Sequence, residues 1–309
     1  MKLIVQPDAG DTPIIGAIRH AKSMVDLLVF RLDDHALTHA LEKAIERGVA
    51  VRVLIAYKNR GGSRHLRRLE QRMLAMGAQV ARTADDLVRY HGKMMITDNR
   101  TLHLFGFNYT CLDLSSRSFG IVTSQHKLVH EAVKLFEADT MRKPYKAGLR
   151  TFLVSPENAR QQLAAFIEGA RSELLIYDMR LSDDAMVRLL RARMKAGVDI
   201  RVIGRLAARH CRHCDFTVEP YPGSRLHVRA IIRDGTHAFV GSQSLAPLEL
   251  DERREIGVIV KDKSVVQEMR AVFERDWAMT PTGKRKIREI VRAKGKKGEE
   301  EVLAAIGGG

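Results

Sequence analysis

Two long stretches of the chain read alike, and an internal repeat of this kind limits the chain to architectures built from two similar units. The repeat pairs HAKSMVDLLVFRL (20–32) with GARSELLIYDMRL (169–181), and LTHALEKAIERGVAVRVLI (37–55) with MVRLLRARMKAGVDIRVIG (186–204). In each unit a helix with apolar periodicity precedes a strand. A second helix then ends at a glycine, Gly48 or Gly197, where a β-branched strand begins. This order predicts βαβ units with right-handed crossovers and a largely parallel sheet.

The similarity resumes at residues 89–110 and 225–246, and prolines and glycines interrupt it between the units, near residues 143–158. We therefore predict a duplicated α/β fold with one half at residues 1–146 and another at 147–281. Each half would contain a central mixed, largely parallel sheet, and a pseudo-twofold axis would relate the halves.

The charge of the chain predicts an anionic partner. Lys and Arg number 52 against 37 Asp and Glu, which gives a net charge of +15, and residues 282–309 form a basic tail. An anionic phospholipid or membrane surface and a nucleic acid both fit this excess. No apolar run of about 18 residues could span a bilayer, and three cysteines argue against a disulfide framework. We expect a cytoplasmic protein, peripheral at most on the inner membrane face, whose single chain already holds a complete site.

The candidate functional residues lie in the third repeated stretch. His91 and Lys93 stand two residues apart in HGKMMITD, which reads as a strand. Residues i and i+2 of a strand leave the same face about 7 Å apart, so one face would carry a nucleophile and a cation. The second unit repeats the arrangement with His227 and Arg229. Two such units facing each other would form a cleft with two imidazoles and two permanent cations.

This set of residues suits displacement at a phosphodiester. Negative charge develops on the equatorial oxygens, and the fixed cations Lys93 and Arg229 could stabilise it without a metal or another cofactor. One neutral imidazole can attack phosphorus and form a phosphohistidine, while the other, protonated, donates a proton to the departing alkoxide. Water or an alcohol would then resolve the intermediate, so the same site can serve a hydrolase or a transferase.

These residues resemble the phospholipase D superfamily. Each stretch is similar to its HxK(x)4D motif, of which the superfamily has two copies in a duplicated α/β fold, with the two histidines meeting between the halves. The first copy is intact as His91, Lys93 and Asp98, and Asn108 occupies the usual position ten residues later. The resemblance implies His91 as the usual nucleophile.

The second copy departs from the pattern. Its site residues would be His227, Arg229, Asp234, Ser242, Ser244 and Glu255. Arg229 replaces a lysine but keeps the charge, and Ser244 replaces an asparagine with a donor on a shorter arm. The resemblance implies that Glu255 orients the histidine of its own motif, which would also permit His227 to attack. Ser118 holds the corresponding position in the first half.

Three functions remain open from the sequence. The resemblance favours a phosphodiesterase or phosphatidyltransferase that acts on phospholipid, similar to bacterial phospholipase D and cardiolipin synthases. A nuclease of the same superfamily fits the positive charge, and a non-catalytic phosphate or lipid binder fits the departures of the second copy. Residues 210–214, HCRHC, resemble half of a zinc site, but no second half accompanies them, so we expect a surface loop without metal.

Overall fold

The computed structural model describes residues 1–58, 64–211 and 216–294. The first half contains β1 (Lys2–Gln6), α1 (Thr12–His20), β2 (Met24–Val29), α2 (His35–Glu46), β3 (Ala50–Ile55), α3 (Arg64–Ala75), β4 (Gln79–Arg82), β5 (Arg89–Tyr90), β6 (Met94–Thr97), β7 (Thr101–Phe105), α4 (Cys111–Leu114), β8 (Ser118–Thr123) and α5 (His126–Thr140). The second half contains β9 (Phe152–Val154), α6 (Ala159–Glu168), β10 (Glu173–Leu181), α7 (Asp184–Lys195), β11 (Asp199–Leu206), α8 (Ala208–Cys211), β12 (Thr217–Glu219), β13 (Arg229–Arg233), β14 (His237–Gly241), a π-helical turn (Leu248–Glu252), β15 (Arg253–Arg254), β16 (Ile256–Val260) and α9 (Lys263–Ala278). The described part of the tail forms α10 (Pro281–Lys294).

The two large sheets have the same strand order, which confirms the predicted duplication and the α/β class. The first runs β1-β8-β7-β6-β2-β3-β4, and the second, taken in the same direction, runs β9-β16-β14-β13-β10-β11-β12. Both are mixed, as predicted. Within the described residues, however, each sheet has two parallel ladders and four antiparallel ones, so the expectation of largely parallel sheets is wrong.

The connections between strands explain why most of the strand pairs are antiparallel. Among strands that are neighbours in a sheet, helices connect β2 to β3, β3 to β4, β10 to β11 and β11 to β12, and parallel neighbours require such crossovers. The motif strands are instead followed by two-residue turns with positive φ, at Asp98-Asn99 (54° and 53°) and at Asp234-Gly235 (51° and 60°). Turns of this kind close antiparallel hairpins.

The glycines between helix and strand lie where the repeat predicts them. An aspartate directly precedes each of α2 and α7, and its side chain accepts a hydrogen bond from a backbone N–H of the first turn: Asp34 caps α2 and Asp183 caps α7. Beyond their C-termini, Gly48 and Gly197 adopt φ values of +83° and +88°. A side chain at either position would strain this left-handed backbone, and the glycine lets the chain reverse into β3 or β11.

One of the apolar cores lies between the two halves. It contains residues of both sheets together with α5 and α9, and Phe119 of the first half contacts Tyr177 of the second edge to face at 5.5 Å. Two further cores lie within the first and second half respectively. Because the halves share a large buried core, they hold a fixed relative position rather than hinging freely.

Reciprocal ion pairs reinforce this contact between the halves. Arg117 Nε lies 3.0 Å from Oδ2 of Asp276, and Arg254 Nη2 lies 3.2 Å from Oδ1 of Asp139. The two arginines hold corresponding positions of the repeat, as do the two aspartates, and each pair joins one half to the other. Breaking one partner of a buried pair costs about 3–5 kcal/mol, so these pairs fix the register of the halves.

Candidate active site

The two motif histidines lie at the seam between the halves. His91 donates its backbone N–H to the carbonyl of Arg254 (2.8 Å), and His227 donates its own to the carbonyl of Arg117 (2.9 Å). Each histidine is therefore bonded to the opposite half before its own strand begins. β6 starts only at Met94, so the predicted strand placement of His91 and Lys93 is wrong. The backbone N–H of His91 bonds to the opposite half, although the carbonyl of Lys93 still accepts a hydrogen bond from Phe105 of β7.

Each imidazole also contacts a carboxylate from the opposite half. The two carboxylate oxygens of Glu255 lie 2.9 and 3.0 Å from Nδ1 of His91. Oδ1 of Asp113 lies 3.3 Å from Nδ1 of His227, an ion-pair distance without hydrogen-bond alignment. The expectation that Glu255 orients His227 is therefore wrong. Glu255 directly follows β15, which pairs with β5 next to His91, so it faces the first motif.

Asp113 is a site residue that the sequence analysis missed. It accepts hydrogen bonds from the backbone N–H of Asn108 (2.9 Å) and from Asn108 Nδ2 (2.6 Å). Ser244 N likewise donates to Glu249 Oε2, at 2.6 Å. Asp113 stands five residues after Asn108, and Glu249 stands five residues after Ser244. This shared spacing is a signal in the sequence that could have identified both acids. Ser118 donates only a long bond to a backbone carbonyl (3.4 Å).

Two cations lie beside the imidazoles, as the motifs predict. Lys93 is 1% exposed, and its Nζ lies 3.0 and 3.1 Å from the two ring nitrogens of His91. Arg229 Nε lies 3.4 Å from Ser244 Oγ and 3.8 Å from Glu249 Oε2. Its Nη1 is buried and has no hydrogen-bond partner within the described ranges. A buried donor without a hydrogen bond costs free energy, so this nitrogen is suited to bind an anionic oxygen.

Burial and the neighbouring cations favour neutral imidazoles. Burial, followed by the charge of Lys93, holds the pKa of His91 well below its usual value. Burial and the charge of Arg229 likewise lower the pKa of His227. Burial lowers the pKa of Lys93 to about 7, although Glu255 acts in the opposite direction. A bound phosphate would offset the cationic charges, so we expect it to raise the pKa of both imidazoles and allow one to carry a proton.

The remaining predicted residues hold the scaffold in place. Asp98 accepts bonds from the backbone N–H groups of Lys22, Ser23 and Met24, and Asp234 accepts the equivalent bonds from residues 171–173. These backbone groups lie at the start of β2 and of β10. Each aspartate therefore connects the hairpin of its motif to the neighbouring strand, and it does not bond within the turn in which it lies. Ser242 Oγ bonds the backbone of Ile256 and so supports the segment that carries Glu255.

The described residues contain no group of three His, Cys, Asp or Glu side chains arranged to hold a metal ion. Most of the HCRHC segment lies outside the described residues, and His210 contacts Asp184 through Nε2 at 3.0 Å. None of the helices in the described ranges has the length and hydropathy needed to cross a bilayer.

Comparison with known proteins places this geometry in context. The family model described as cardiolipin synthase, PLD-like domain, matches residues 14–140 and 163–277. Polyphosphate kinase 1 of Chlorobaculum tepidum is 25% identical over 327 aligned positions, which cover 91% of the chain but 45% of that relative. The chain thus spans less than half the length of this curated relative.

Solved structures share the fold. Polyphosphate kinase from Porphyromonas gingivalis superposes with a TM-score of 0.75 at 21% identity, over 89% of this chain and 46% of that one. Phosphatidylserine synthase from Haemophilus influenzae superposes with a TM-score of 0.73 at 11% identity, over 99% of this chain and 94% of that one. At these identities the likeness establishes the two-half architecture.

Proposed function

The chain belongs to the family of cardiolipin synthase, PLD-like domains, and we propose that it transfers or hydrolyses the phosphatidyl group of a phospholipid through a phosphohistidine, without a metal ion. The observation that carries the proposal is the reciprocal pairing of each motif imidazole with a carboxylate of the opposite half. A carboxylate at Nδ1 keeps the proton on that nitrogen and leaves the lone pair on Nε2, beside which Lys93 Nζ lies at 3.1 Å.

The unequal carboxylate contacts support His91 as the nucleophile and His227 as the acid. Glu255 is fully buried and holds His91 through both oxygens, so His91 is the better oriented nucleophile. Its Nε2 attacks phosphorus, the bond to the leaving oxygen breaks, and His227 donates a proton to that oxygen. Lys93 and the unpartnered Nη1 of Arg229 stabilise the charge that develops on the phosphoryl oxygens.

The described part of the tail supports a lipid surface as partner. α10 carries Lys284, Arg285, Lys286, Arg288, Arg292 and Lys294 against one acid, Glu289. Ile290 is 38% exposed, and Ile287 and Val291 are half-buried beside it. A basic helix with an apolar stripe can lie on an anionic bilayer, where each cation contributes about 1 kcal/mol. Peripheral binding at the inner membrane face is therefore part of the proposal.

A second candidate is phosphoryl transfer from a polyphosphate. The sequence match to polyphosphate kinase 1 covers most of the chain, and a phosphoanhydride presents the same charged phosphoryl oxygens to Lys93 and Arg229. Nuclease activity, which the positive charge also fits, is the third reaction to be tested.

The test incubates the purified protein with phosphatidylglycerol vesicles, phosphatidylcholine vesicles, long-chain polyphosphate and supercoiled plasmid, and records which is consumed. We expect phosphatidylglycerol to be consumed with EDTA present. His91→Ala and His227→Ala should each abolish turnover, whereas His126→Ala, at an exposed histidine, should not. Full activity in either of the first two variants would refute the two-histidine mechanism, and consumption of polyphosphate or plasmid alone would refute the lipid assignment.

A further inference from the structure

Three consecutive residues of the second half hold the first motif in place. The backbone carbonyl of Arg254 accepts the N–H of His91 (2.8 Å), and both carboxylate oxygens of Glu255 contact Nδ1 of the same histidine. The side chain of Ile256 packs so closely on Gly92 that any Cβ there would collide with it. We call these three residues the support segment. Because they contact the motif at three successive points, a displacement of the support segment changes the orientation of the imidazole.

The buried side chain of Arg254 anchors the support segment. Its Nη2 lies 3.2 Å from Oδ1 of Asp139, which belongs to α5 of the first half. Its Nη1 donates to the carboxylate of Glu157 and to the carbonyl of Ser155 (3.2 Å), both in the second half. The guanidinium is therefore shared between one acceptor of the first half and two of the second.

The contact of Asp139 with Arg254 is electrostatic. Asp139 is buried, and neither of its carboxylate oxygens has an aligned hydrogen bond within the part of the chain that the structure describes. Burial raises the pKa of Asp139 to about 7; Arg254 acts against this rise, and Glu157 and Asp86 add to it. Tyr90, whose ring faces the guanidinium at 5.4 Å, donates its hydroxyl to Asp86 (2.8 Å). An ionised Asp139 thus depends on Arg254, and this dependence fixes the guanidinium relative to the first half.

The repeat contains an equivalent pair at the second motif. Arg117, whose carbonyl accepts the N–H of the second motif histidine, donates from Nη2 to Oδ1 of Asp276 (3.2 Å). The hydroxyl of Tyr177 donates to the other oxygen of that carboxylate (2.6 Å). Leu28 holds the corresponding position in the first half and has no hydroxyl to donate. The two pairs therefore have the same layout, and each adjoins a different motif histidine.

We propose that Asp139 is a positioning residue for the first imidazole: it acts through Arg254 on the support segment and so sets the orientation of His91. Asp276 acts in the same way, through Arg117, on the other histidine. Without the charge of Asp139, the guanidinium is held by acceptors of the second half alone, and the support segment follows that half. The effect of this positioning on catalysis rests on the proposed phosphohistidine mechanism, whereas the orientation of the ring does not.

Nitrogen-15 NMR of the histidine rings tests the positioning without a substrate. His91→Ala and His227→Ala assign the two signals, and the contact with Glu255 should keep the proton of His91 on Nδ1 in the unmodified protein. Asp139→Asn should move the ring-nitrogen signals of His91 towards a mixture of both tautomers and leave those of His227 in place. Asp276→Asn is the matched control, because it makes the same change in the equivalent pair, and it should move the signals of His227 alone.

A second variant covers the case in which Asp139→Asn does not fold. Arg254→Lys keeps the buried charge but loses the planar fork that holds two carboxylates at once. It should therefore change the signals of His91 in the same direction as Asp139→Asn. Unchanged His91 signals in the folded variants would show that the pair serves the fold alone. Equal changes at both histidines in Asp139→Asn and Asp276→Asn would show a general loosening between the halves, and either result overturns the inference.

Rates of phosphohistidine formation connect the positioning to the reaction. Asp139→Asn should slow this step about tenfold or more for alkyl and p-nitrophenyl leaving groups alike, since His91 attacks in both cases. Asp276→Asn should slow the step with alkyl leaving groups and spare p-nitrophenyl esters. The same rate profile in both variants would contradict separate positioning. If the NMR changes occurred as expected but the unmodified protein formed no phosphohistidine, the proposed function would be rejected and the positioning of His91 would stand.

Discussion

Replacing Glu255 by Gln keeps His91 but removes the carboxylate that orients its imidazole, so this variant measures how much that orientation contributes to the reaction. Both oxygens of this fully buried carboxylate lie within 3.0 Å of His91 Nδ1. An amide keeps the size of the side chain but loses the charge and offers one oxygen in place of two. It can also present an N–H to Nδ1, which favours the tautomer whose Nε2 is protonated and unable to attack.

The size of the effect follows from the contacts. A hydrogen bond to a charged group contributes about 1.5–3 kcal/mol, which corresponds to a rate decrease of about 10- to 150-fold. The tautomer change adds to this, and loss of an orienting carboxylate at a catalytic histidine reaches about 10⁴-fold. We therefore expect phosphohistidine formation to slow at least tenfold. Burial raises the pKa of Glu255, so its charged form is costly to bury and the neutral amide should leave the melting temperature nearly unchanged.

The assay is rapid quench of the phosphohistidine from a labelled donor at pH 7, with thermal melting in parallel. Glu252→Gln is the matched control, since it makes the same change three residues away on an exposed side chain. A rate for Glu255→Gln within twofold of the unmodified protein, with the fold intact, would show that the Glu255 contact does not serve the nucleophile. An equal loss in Glu252→Gln would point to a general charge effect.

Three further predictions concern the acid, the cation and the scaffold. Asp113→Asn should slow turnover of substrates with alkyl leaving groups about 100-fold but spare p-nitrophenyl esters, which need little protonation; equal losses on both would remove His227 from the role of acid. Because the pKa of Lys93 is lowered to about 7, its charged form is lost as pH rises through 7, and kcat/KM should fall there. Lys93→Arg should shift this decrease to higher pH. If the decrease stayed at the same pH in that variant, another group would be responsible for it. Asp98→Ala should lower the free energy of unfolding by about 2 kcal/mol in urea titrations, because it removes several bonds to a charged acceptor, while an unchanged midpoint would show that the hairpin needs no such anchor.

The repeat in the sequence predicted much of the fold. It gave two α/β halves, the glycines that end α2 and α7, and motif histidines that each lie where one half contacts the other. It overstated the parallel pairing, because strand order depends on the length of each connection and the later strands are joined by short turns. The boundaries at residues 146 and 281 stay predictions.

The partners of the two imidazoles could not be predicted from alignment of the halves. Such an alignment relates Glu255 to Ser118, and the family resemblance implied that Glu255 orients the histidine of its own half. The contacts depend instead on how one half docks on the other. β15 pairs with β5 across the seam and brings Glu255 to His91, and α4 brings Asp113 to His227. These pairings involve residues more than 100 positions apart, which local patterns do not specify.

Each motif histidine contacts a carboxylate from the opposite half, and the difference between these two contacts explains how a duplicated fold can supply both a nucleophile and an acid. Two identical halves would give two equivalent histidines, with no preference for one as nucleophile. Here Glu255 holds one imidazole tightly, whereas Ser118 at the corresponding position of the first half leaves the other to a less well-aligned acid. Exchanging the residues at 118 and 255 should therefore transfer the nucleophilic role, and tryptic mapping of the trapped phosphohistidine would reveal it. If the label remained only on His91 in the Ser118→Glu, Glu255→Ser double variant, the residues at 118 and 255 would not determine which histidine is the nucleophile.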